Sequence, residues 1–438
     1  MSRSIRSVAV LGGGTMGTGI AGACASAGAK VLLLDVSAEA AAQAMERIVA
    51  GRPPAVDDPE AAKRIETGTL DRDLDRIAGY DWICEAVIED LSTKRALFER
   101  LEPLRRDGSV VSTNTSGIPL RAIVDGLPAR LRRDIAVTHF FNPVKVMRLM
   151  ELIPSADTTA DVIAAFREFC GGRLAKGVVH AKDSVNFIGN RIGCFWMLSG
   201  LHKAAAARAE GLDTETVDAL MSAPVGLPPT GLYGLIDLIG LDVMALVARN
   251  LAQNLPAGDV GRTYTRFPEP EQRMLERGQL GRKRGAGFYR VTKQGDGGRL
   301  REVFDLDREA WRAVREPALD AGHRDRSALM FADDAAGRFA WDLMAGTLCY
   351  AADLIPEISD DVVNVDRALR WGFAWSAGPF EMLDAIGPAR VIERLRATGR
   401  PLPSMLAVLE KAGADGFYRA DGAEFLGLDG AWHPVPAE

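Results

Sequence analysis

His139 and Glu151 are the two side chains whose types and surroundings best suit proton transfer. His139 follows the apolar run 135–138, and Glu151 interrupts the apolar run 150–154. A carboxylate inside an apolar strand needs a partner, because burial of an unpaired charge is costly. A glutamate paired with a histidine raises the basicity of the imidazole and fixes its tautomer, which suits a base that removes a hydroxyl proton. The alternative is a structural histidine with an unrelated surface glutamate.

A glycine-rich turn near the N-terminus indicates a phosphate-binding loop. Residues 12–17 fit the pattern G-x-G-x-x-G and lie between an apolar strand and a helix rich in Ala and Gly. The first glycine permits the tight turn, the second lets the backbone approach a pyrophosphate, and the third allows close packing of helix on strand. The helix N-terminus adds amide donors for phosphates. An ordinary flexible turn is the alternative. The residues expected to contact a dinucleotide are Gly12, Gly14, Thr15, Met16 and Gly17.

Asp35 supplies the second half of that motif. It ends the next predicted strand, 18 residues after Gly17, where an acidic side chain can accept hydrogen bonds from the hydroxyl groups of the adenosine ribose. Neither Val36 nor Ser37 is basic. The carboxylate of Asp35 would therefore repel the 2′-phosphate of NADP with no nearby positive charge to offset it. These residues predict NAD, and not NADP, as the cofactor.

The elements that would position these residues alternate between strands and helices over roughly the first 180 residues, which is typical of a doubly wound α/β sheet. His139 thereby falls near the carboxyl end of a strand, where folds of this kind bind their ligands. Strands are predicted at 7–11, 31–35, 82–85, 109–112, 135–138, 150–153 and 176–181, and helices at 15–27, 38–49, 92–104 and 160–170.

The rest of the chain is predicted to be helical and internally duplicated. Residues 226–240 resemble residues 372–387, and Gly-Phe-Tyr-Arg begins at Gly287 and again at Gly416. Two matches in the same order indicate two copies of one helical unit. A linker rich in Gly, Lys and Asp is predicted at about residues 291–301. The predicted fold is a Rossmann-type α/β domain followed by all-α domains, with boundaries at 1–183, 184–295 and 326–438.

Composition restricts the class of protein. Of the 438 residues, 47% are hydrophobic and 26% are charged, as in ordinary globular proteins. The net charge of −6 does not favour binding to nucleic acid or to an anionic membrane. No uncharged stretch suits a transmembrane span, and no apolar signal region precedes the first strand. The five cysteines include no Cys-x-x-Cys pair, so we expect reduced, mostly buried thiols, no metal site and a cytoplasmic location.

Several motifs, in order along the chain, resemble the 3-hydroxyacyl-CoA dehydrogenase family. Besides the glycine loop they are Glu85–Lys94, Ser112–Ser116, His139–Pro143, Glu151, Lys182–Arg191, Gly234–Asp242 and Gly281–Tyr289. The duplicated helical unit is similar to the dehydrogenase portion of bifunctional dehydrogenase/enoyl-CoA hydratase proteins. The resemblance implies NAD-dependent oxidation of an (S)-3-hydroxyacyl-CoA to a 3-ketoacyl-CoA, as in fatty-acid β-oxidation.

The resemblance also implies roles for individual residues. His139 matches the family's catalytic base, Glu151 its partner, and Ser116 the serine that bonds the oxygen of the substrate. Asn190 matches the asparagine that helps to position the base and the substrate. The residues matched to cofactor contacts are Glu89 and Lys94, near the nicotinamide ribose, with Ser116 and Lys283. For the two lysines the alternative is a solvated basic side chain.

The chain departs from the family at two places. Ser184, Val185 and Asn186 stand where the family often has Thr-Pro-Gly, which leaves Asn190 in place but leaves the shape of the preceding loop undetermined. Residues 51–58 interrupt the helical hairpin that binds CoA in the family, so no CoA contact is assigned.

Two other functions stand beside that of an acyl-CoA dehydrogenase. One is a related hydroxy-acid dehydrogenase whose substrate lacks CoA, and the other is a catalytically idle NAD-binding protein. The complete set Ser116, His139, Glu151 and Asn190 speaks against the idle protein. The two helical units further predict an intramolecular pseudo-dimer, so that a monomer is feasible and a homodimer stays open. A hydratase or a thiolase is a candidate partner.

Overall fold

The computed structural model describes residues 3–293, 298–317 and 319–438. The chain forms two compact units. The first comprises Met1–Ile188, Glu357–Ser359 and Pro436–Glu438, and the second comprises Gly189–Pro356 and Asp360–Val435. Both helical copies predicted from the sequence therefore belong to one unit.

An eight-stranded sheet forms the first unit. In chain order its strands are β1 (Ser7–Leu11), β2 (Lys30–Asp35), β3 (Ile65–Thr69), β4 (Trp82–Glu85), β5 (Val110–Thr113), β6 (Ile135–Phe140), β7 (Leu149–Pro154) and β8 (Gly177–His180). They lie in the order β3-β2-β1-β4-β5-β6-β7-β8. The first six are parallel in the arrangement of a dinucleotide-binding fold, whereas β7 is antiparallel to β6 and parallel to β8.

Helices connect these strands. They are α1 (Thr15–Ser26), α2 (Ala38–Ala50), α3 (Pro59–Ala62), α4 (Leu91–Leu101), α5 (Leu120–Val124), α6 (Ala129–Asp134) and α7 (Ala160–Phe166), which continues as a π-helical segment at Arg167–Arg173. The sheet and helices enclose an apolar core. Within it, Trp82 on β4 meets Phe166 and Phe169 edge to face, each at a ring-centroid distance of 5.7 Å. This core fixes the sheet whose carboxyl edge carries the site.

The second unit is mainly helical. Its helices are α8 (Gly189–Ala209), α9 (Thr214–Leu220), α10 (Gly231–Ile239), α11 (Leu241–Asn254), α12 (Glu269–Glu276), α13 (Arg326–Met330), α14 (Ala335–Ala340), α15 (Gly346–Asp353), α16 (Val362–Gly372), α17 (Pro379–Ile386), α18 (Pro388–Ala397) and α19 (Ser404–Ala412). Among the described residues no single helix is long and apolar enough to cross a membrane, although α10 and α11, which meet at a bend of 91°, together have the length and composition of a span.

Two small antiparallel sheets interrupt the helices. One contains β9 (Tyr289–Lys293), β10 (Arg299–Asp305) and β11 (Ala310–Ala313), and the other contains β12 (Tyr418–Arg419), β13 (Glu424–Leu426) and β14 (Trp432–Pro434). The prediction of a linker at 291–301 was therefore wrong for its described part, while residues 294–297, with the predicted boundary at 295, lie outside the described residues. Charged cross-strand partners such as Arg290 and Glu302 join β9 to β10, and buried Val303 and Phe304 supply the apolar face of β10.

The predicted duplication has a structural counterpart in matching carboxylates. The carboxylate of Asp218 accepts hydrogen bonds from the N–H groups of Tyr233 and Gly234 and from the hydroxyl of Tyr289. In the second copy, Asp366 accepts the N–H groups of Phe380 and Glu381 and the hydroxyl of Tyr418 in the same way. A second pair repeats as well, because Asp237 accepts the N–H groups of Phe288 and Tyr289, and Asp384 those of Phe417 and Tyr418. The repeated Gly-Phe-Tyr-Arg thus marks the same backbone-to-carboxylate contact in each copy.

Helix α8 lies against elements of both copies. It contacts α10 and α11 of the first copy and α14, α15 and α16 of the second. At Gly193 an added Cβ would collide with the ring of Phe373, so that only glycine permits this close approach. Trp196, Met197 and Leu198 in the same helix are almost completely buried. The second copy therefore covers apolar surface of α8 within one chain.

Candidate active site

A cavity of about 980 Å³ lies beside the loops that follow β1, β2, β4 and β5. β1 and β4 are neighbours in the sheet although β2 and β3 intervene in the chain, and sheets of this type bind ligands at such a switch point. Of the residues singled out from the sequence, Gly12, Gly14, Thr15, Met16, Asp35, Glu89 and Ser116 line the cavity.

The glycines of the loop differ in what surrounds them. Gly12 has a φ of +106°, and an added Cβ would lie 2.5 Å from the carbonyl oxygen of Ala86. A Cβ on Gly17 would collide with the carbonyl oxygen of Gly12, which fixes the distance between α1 and β1. Gly14 has no atom within 4 Å of its Cβ position and faces the cavity. Helix α1 begins with no acidic residue and no side-chain cap in its first turn, so its free N–H groups fit a pyrophosphate.

Asp35 and Arg47 hold the backbone of Gly13 from opposite sides. Oδ2 of Asp35 accepts the N–H of Gly13 at 3.1 Å, and its Oδ1 accepts the N–H of Val36 at 2.7 Å. The guanidinium of Arg47, on α2, donates to the carbonyl oxygen of Gly13 at 2.6 Å. Sequence reasoning missed both Gly13 and Arg47. Arg47 lies in a helix, twelve positions after Asp35, and the motif gives no signal at that distance.

Glu89 and Lys94 form part of an ionic cluster at the cavity, in which Lys94 is buried and the side chain of Glu89 is 40% exposed. The ammonium of Lys94, whose side chain is 1% exposed, lies 2.8 Å from Oε1 of Glu85 and 3.3 Å from Oε2 of Glu89. Glu89 also accepts the N–H groups of Ser116 and Gly117 and the hydroxyl of Thr115. Burial alone would raise the pKa of Glu89, but Lys94 and these hydrogen bonds outweigh it and hold that pKa below its ordinary value. Glu89 lines the cavity, and Lys94 stays behind it.

His139, Glu151 and Ser116 form a hydrogen-bonded chain at the end of β6. The sequence places His139 after a strand, but β6 extends to Phe140, so that His139 and Glu151 are direct register partners on antiparallel β6 and β7. Nδ1 of His139 lies 2.7 Å from Oε2 of Glu151, and Nε2 lies 3.1 Å from Oγ of Ser116. Both the histidine and the glutamate are buried. The predicted pair is therefore present, and Ser116 connects it to the cavity.

The loop 184–188 orients this pair. Asn186 and Phe187 adopt left-handed backbone conformations, with φ values of 61° and 51°. Asn186 stands where the family often has glycine, and asparagine is among the side chains that best tolerate this region. The loop brings the N–H of Ile188 to 3.0 Å from Oε1 of Glu151 and packs the ring of Phe187 against that of His139 at 5.6 Å. Ser184, Val185 and Asn186 thus form a turn that fixes the carboxylate of Glu151.

Two residues singled out from the sequence lie in the second unit. Asn190 is in the first turn of α8, and Lys283 is in a short 3₁₀ helix at Arg282–Arg284. The ammonium of Lys283 lies 2.5 Å from Oδ1 of Asp242. Their roles at the site stay predictions.

Matches to two family models identify the family of this chain. Residues 7–184 match the 3-hydroxyacyl-CoA dehydrogenase NAD binding domain, and residues 187–291 match the C-terminal domain of the same family. The chain is a member of the 3-hydroxyacyl-CoA dehydrogenase family. Its α/β unit is thus an NAD-binding domain of this family, and the predicted family, fold class and cofactor are confirmed.

Individual members of the 3-hydroxyacyl-CoA dehydrogenase family match over different lengths. A probable 3-hydroxyacyl-CoA dehydrogenase of Bacillus subtilis is 34% identical over 95% of this chain and 56% of its own length. One of Deinococcus radiodurans is 36% identical over 66% of this chain and 84% of its own length. The crystal structure of 3-hydroxybutyryl-CoA dehydrogenase from Escherichia coli aligns with a TM-score of 0.70 at 25% identity, over 92% of this chain and 98% of that one. The chain thus spans little more than half of its B. subtilis relative.

Proposed function

We propose that this chain oxidises the 3-hydroxyl group of an (S)-3-hydroxyacyl-CoA to a 3-ketone with NAD, as in fatty-acid β-oxidation. The observation that carries the proposal is the position of Ser116, whose side chain contacts Nε2 of His139 while the residue lines the cavity beside the glycine loop. A substrate hydroxyl bound there can reach both the serine and the imidazole. Bound NAD supplies the hydride acceptor.

His139 acts as the general base. Because Nδ1 faces the Glu151 carboxylate, Nδ1 carries the proton. Nε2 accepts the hydroxyl hydrogen of Ser116 until substrate binds, and then accepts the proton of the substrate hydroxyl. The imidazolium that forms is stabilised by the buried carboxylate. Ser116 donates its hydroxyl hydrogen to the oxygen of the developing ketone, which aligns that oxygen with Nε2. The product side needs no further acid, since the proton stays on His139 until it exchanges with water.

The remaining sequence assignments belong to this proposal. Gly12, Gly14, Thr15 and Met16 hold the pyrophosphate, Gly17 keeps α1 close to β1, and Asp35 binds the adenosine ribose. Glu89 and Lys94 lie near the nicotinamide ribose, Glu89 on the cavity wall and Lys94 behind it, and Glu89 also holds the turn at Ser116. Asn190 as a substrate contact and Lys283 as a cofactor contact are proposed on the family resemblance alone.

The proposal also extends to the surroundings of the enzyme. A hydratase would supply the 3-hydroxyacyl-CoA and a thiolase would consume the 3-ketoacyl-CoA, so both are proposed as partners, either fused or separate. The two helical copies form an intramolecular pseudo-dimer, and we propose that the cytoplasm is its location.

A substrate panel tests the proposal directly. The formation of NADH is followed with (S)-3-hydroxyacyl-CoA thioesters of several chain lengths and with the matching free acids. Turnover of thioesters is expected. Turnover of free acids alone would assign a hydroxy-acid dehydrogenase whose substrate lacks CoA, and NAD binding without turnover of any substrate would assign an idle binding protein.

A further inference from the structure

We infer that the guanidinium of Arg47 can bind a 2′-phosphate at the adenosine end of the dinucleotide site. The carboxylate of Asp35 is then the only group that excludes NADP there. The inference rests on the proposed placement of the adenosine ribose beside Asp35. It changes the expectation drawn from Val36 and Ser37, because the compensating base comes from α2 and not from the residues after β2.

Arg47 and Asp35 both bond the backbone of Gly13. Asp35 accepts a hydrogen bond from its N–H, and Arg47 donates one to its carbonyl oxygen. A Cβ on Gly13 would lie 2.6 Å from Oδ2 of Asp35 and 2.8 Å from the Cβ of Ala44, so only glycine lets α2 approach this closely. Arg47, Asp35 and Gly13 all line the cavity.

The charge of Arg47 is not neutralised by the protein. In the part of the chain that the structure describes, no carboxylate lies within ion-pair distance of its guanidinium, and its one side-chain hydrogen bond goes to Gly13. Arg100, the other arginine that lines the cavity, differs in this respect, because it lies 3.6 Å from Oδ1 of Asp71 and donates to the carbonyl oxygen of Leu70. A guanidinium has five N–H donors in a planar fork that suits phosphate oxygens, and Arg47 keeps four of them for a ligand.

In the wild type the carboxylate of Asp35 counteracts the attraction of Arg47 for a phosphate. Both of its carboxylate oxygens are oriented by backbone N–H groups, which suits the acceptance of hydrogen bonds from two ribose hydroxyls. A 2′-phosphate on the same ribose would be repelled by that fixed carboxylate. Removal of the single negative charge should therefore reveal a phosphate site, without any added arginine.

Binding measurements test this without turnover. The probes are adenosine 2′,5′-bisphosphate, AMP, NAD and NADP, titrated calorimetrically into the wild type and into Asp35→Ser and Asp35→Asn variants. In both variants the affinity for the bisphosphate should rise about 10- to 100-fold, the range expected for a charge-assisted contact, while the affinities for NAD and AMP fall. Addition of Arg47→Gln to either variant should abolish the gain. Arg47→Lys should keep part of it, and Arg100→Gln, the matched loss of charge, should keep most of it.

Each result is decisive. If the Asp35 variants gain no affinity for the bisphosphate although NAD binding weakens, or if the gain survives Arg47→Gln, Arg47 is not the phosphate cation. If the Asp35 variants bind NAD and AMP as the wild type does, the ribose does not lie beside Asp35, and the proposed cofactor placement fails with the inference. The isosteric Asp35→Asn variant keeps one acceptor oxygen, which can bond the N–H of Gly13 but not that of Val36 as well, so the melting temperature of both Asp35 variants is measured alongside.

Discussion

The hydroxyl oxygen of Ser116 lies 3.1 Å from Nε2 of His139. The serine therefore stands between the buried base and the cavity. Loss of its hydroxyl in Ser116→Ala should lower kcat by about 10²-fold, as expected for removal of one preorganised donor to a developing charge. The affinity for NAD, measured by calorimetry, should fall less than kcat does, since Ser116 is only one of several residues that line the cavity. Ser116→Thr, which keeps a hydroxyl, should recover part of the rate, and an alanine variant with the wild-type kcat would remove Ser116 from the mechanism.

Substitutions at Gly14 and Gly17 separate an effect on NAD binding from an effect on the stability of the fold. A Cβ on Gly14 meets no protein atom and points into open space, whereas a Cβ on Gly17 collides with the carbonyl oxygen of Gly12. Gly14→Ala should therefore leave the melting temperature nearly unchanged and weaken NAD binding, because the methyl group occupies the place of the pyrophosphate. Gly17→Ala should lower the melting temperature. Normal NAD affinity in a stable Gly14→Ala variant would show that the phosphates lie elsewhere.

Buried carboxyl groups in the helical unit should make stability depend on pH. Burial raises the pKa of Asp218 to about 7, and that of Asp237 and Asp384 to about 6. Since these values lie above those of an unfolded chain, about 3.9, the folded protein binds more protons between these limits. These groups therefore increase the free energy of unfolding as the pH falls below about 7. Their contribution is lost as the pH rises above that value.

Thermal melting at a series of pH values checks this for Asp218. Asp218→Asn should show a smaller rise in melting temperature between about pH 8 and pH 6 than the wild type, because the titrating proton is gone. Asp125→Asn, at a side chain that is 82% exposed, serves as the matched control and should follow the wild type. Identical pH dependence in the Asp218 variant and the wild type would contradict the prediction.

The second helical copy should be needed to cover the first. Phe373 packs on Gly193, and Leu343 lies near Gly200, so that removal of the second copy exposes apolar surface of α8. A chain truncated after residue 295 should aggregate or dimerise, which light scattering detects. A soluble, fully active monomer after truncation would show that the second copy does not protect the first.

Local patterns predicted much of the first unit. β1, the glycine loop and β2 were predictable because a buried parallel strand carries a continuous apolar run and the loop has its own signature. Edge strand β3 was missed, since only Ile65 of its five residues is buried and no apolar run marks it. The end of β6 was misplaced by two residues, because His139 is polar and yet lies within the buried strand.

Contacts between distant segments could not be predicted. Arg47 reaches Gly13 from another helix, and Lys94 pairs with Glu85 in the core, where a lone lysine was expected at the cofactor or in solvent. The small sheets of the second unit have short or charge-rich strands, which pair charges across strands and bury only two apolar residues in the central strand of each sheet. By contrast, the His139–Glu151 pair was predictable, because a carboxylate in an apolar strand requires a partner and few histidines exist.

The turnover rate of His139→Gln tests the central claim most directly. The ring proposed to accept the hydroxyl proton is lost, while His139 is not among the residues that line the cavity proposed for NAD. With a thioester that the wild type oxidises, kcat should fall by about 10²–10⁴-fold, and the calorimetric affinity for NAD should stay near that of the wild type. Glu151→Gln, which keeps an acceptor for the N–H of Ile188, should be slowed as well. An unchanged kcat in His139→Gln, with NAD still bound, would contradict the assignment of His139 as the base.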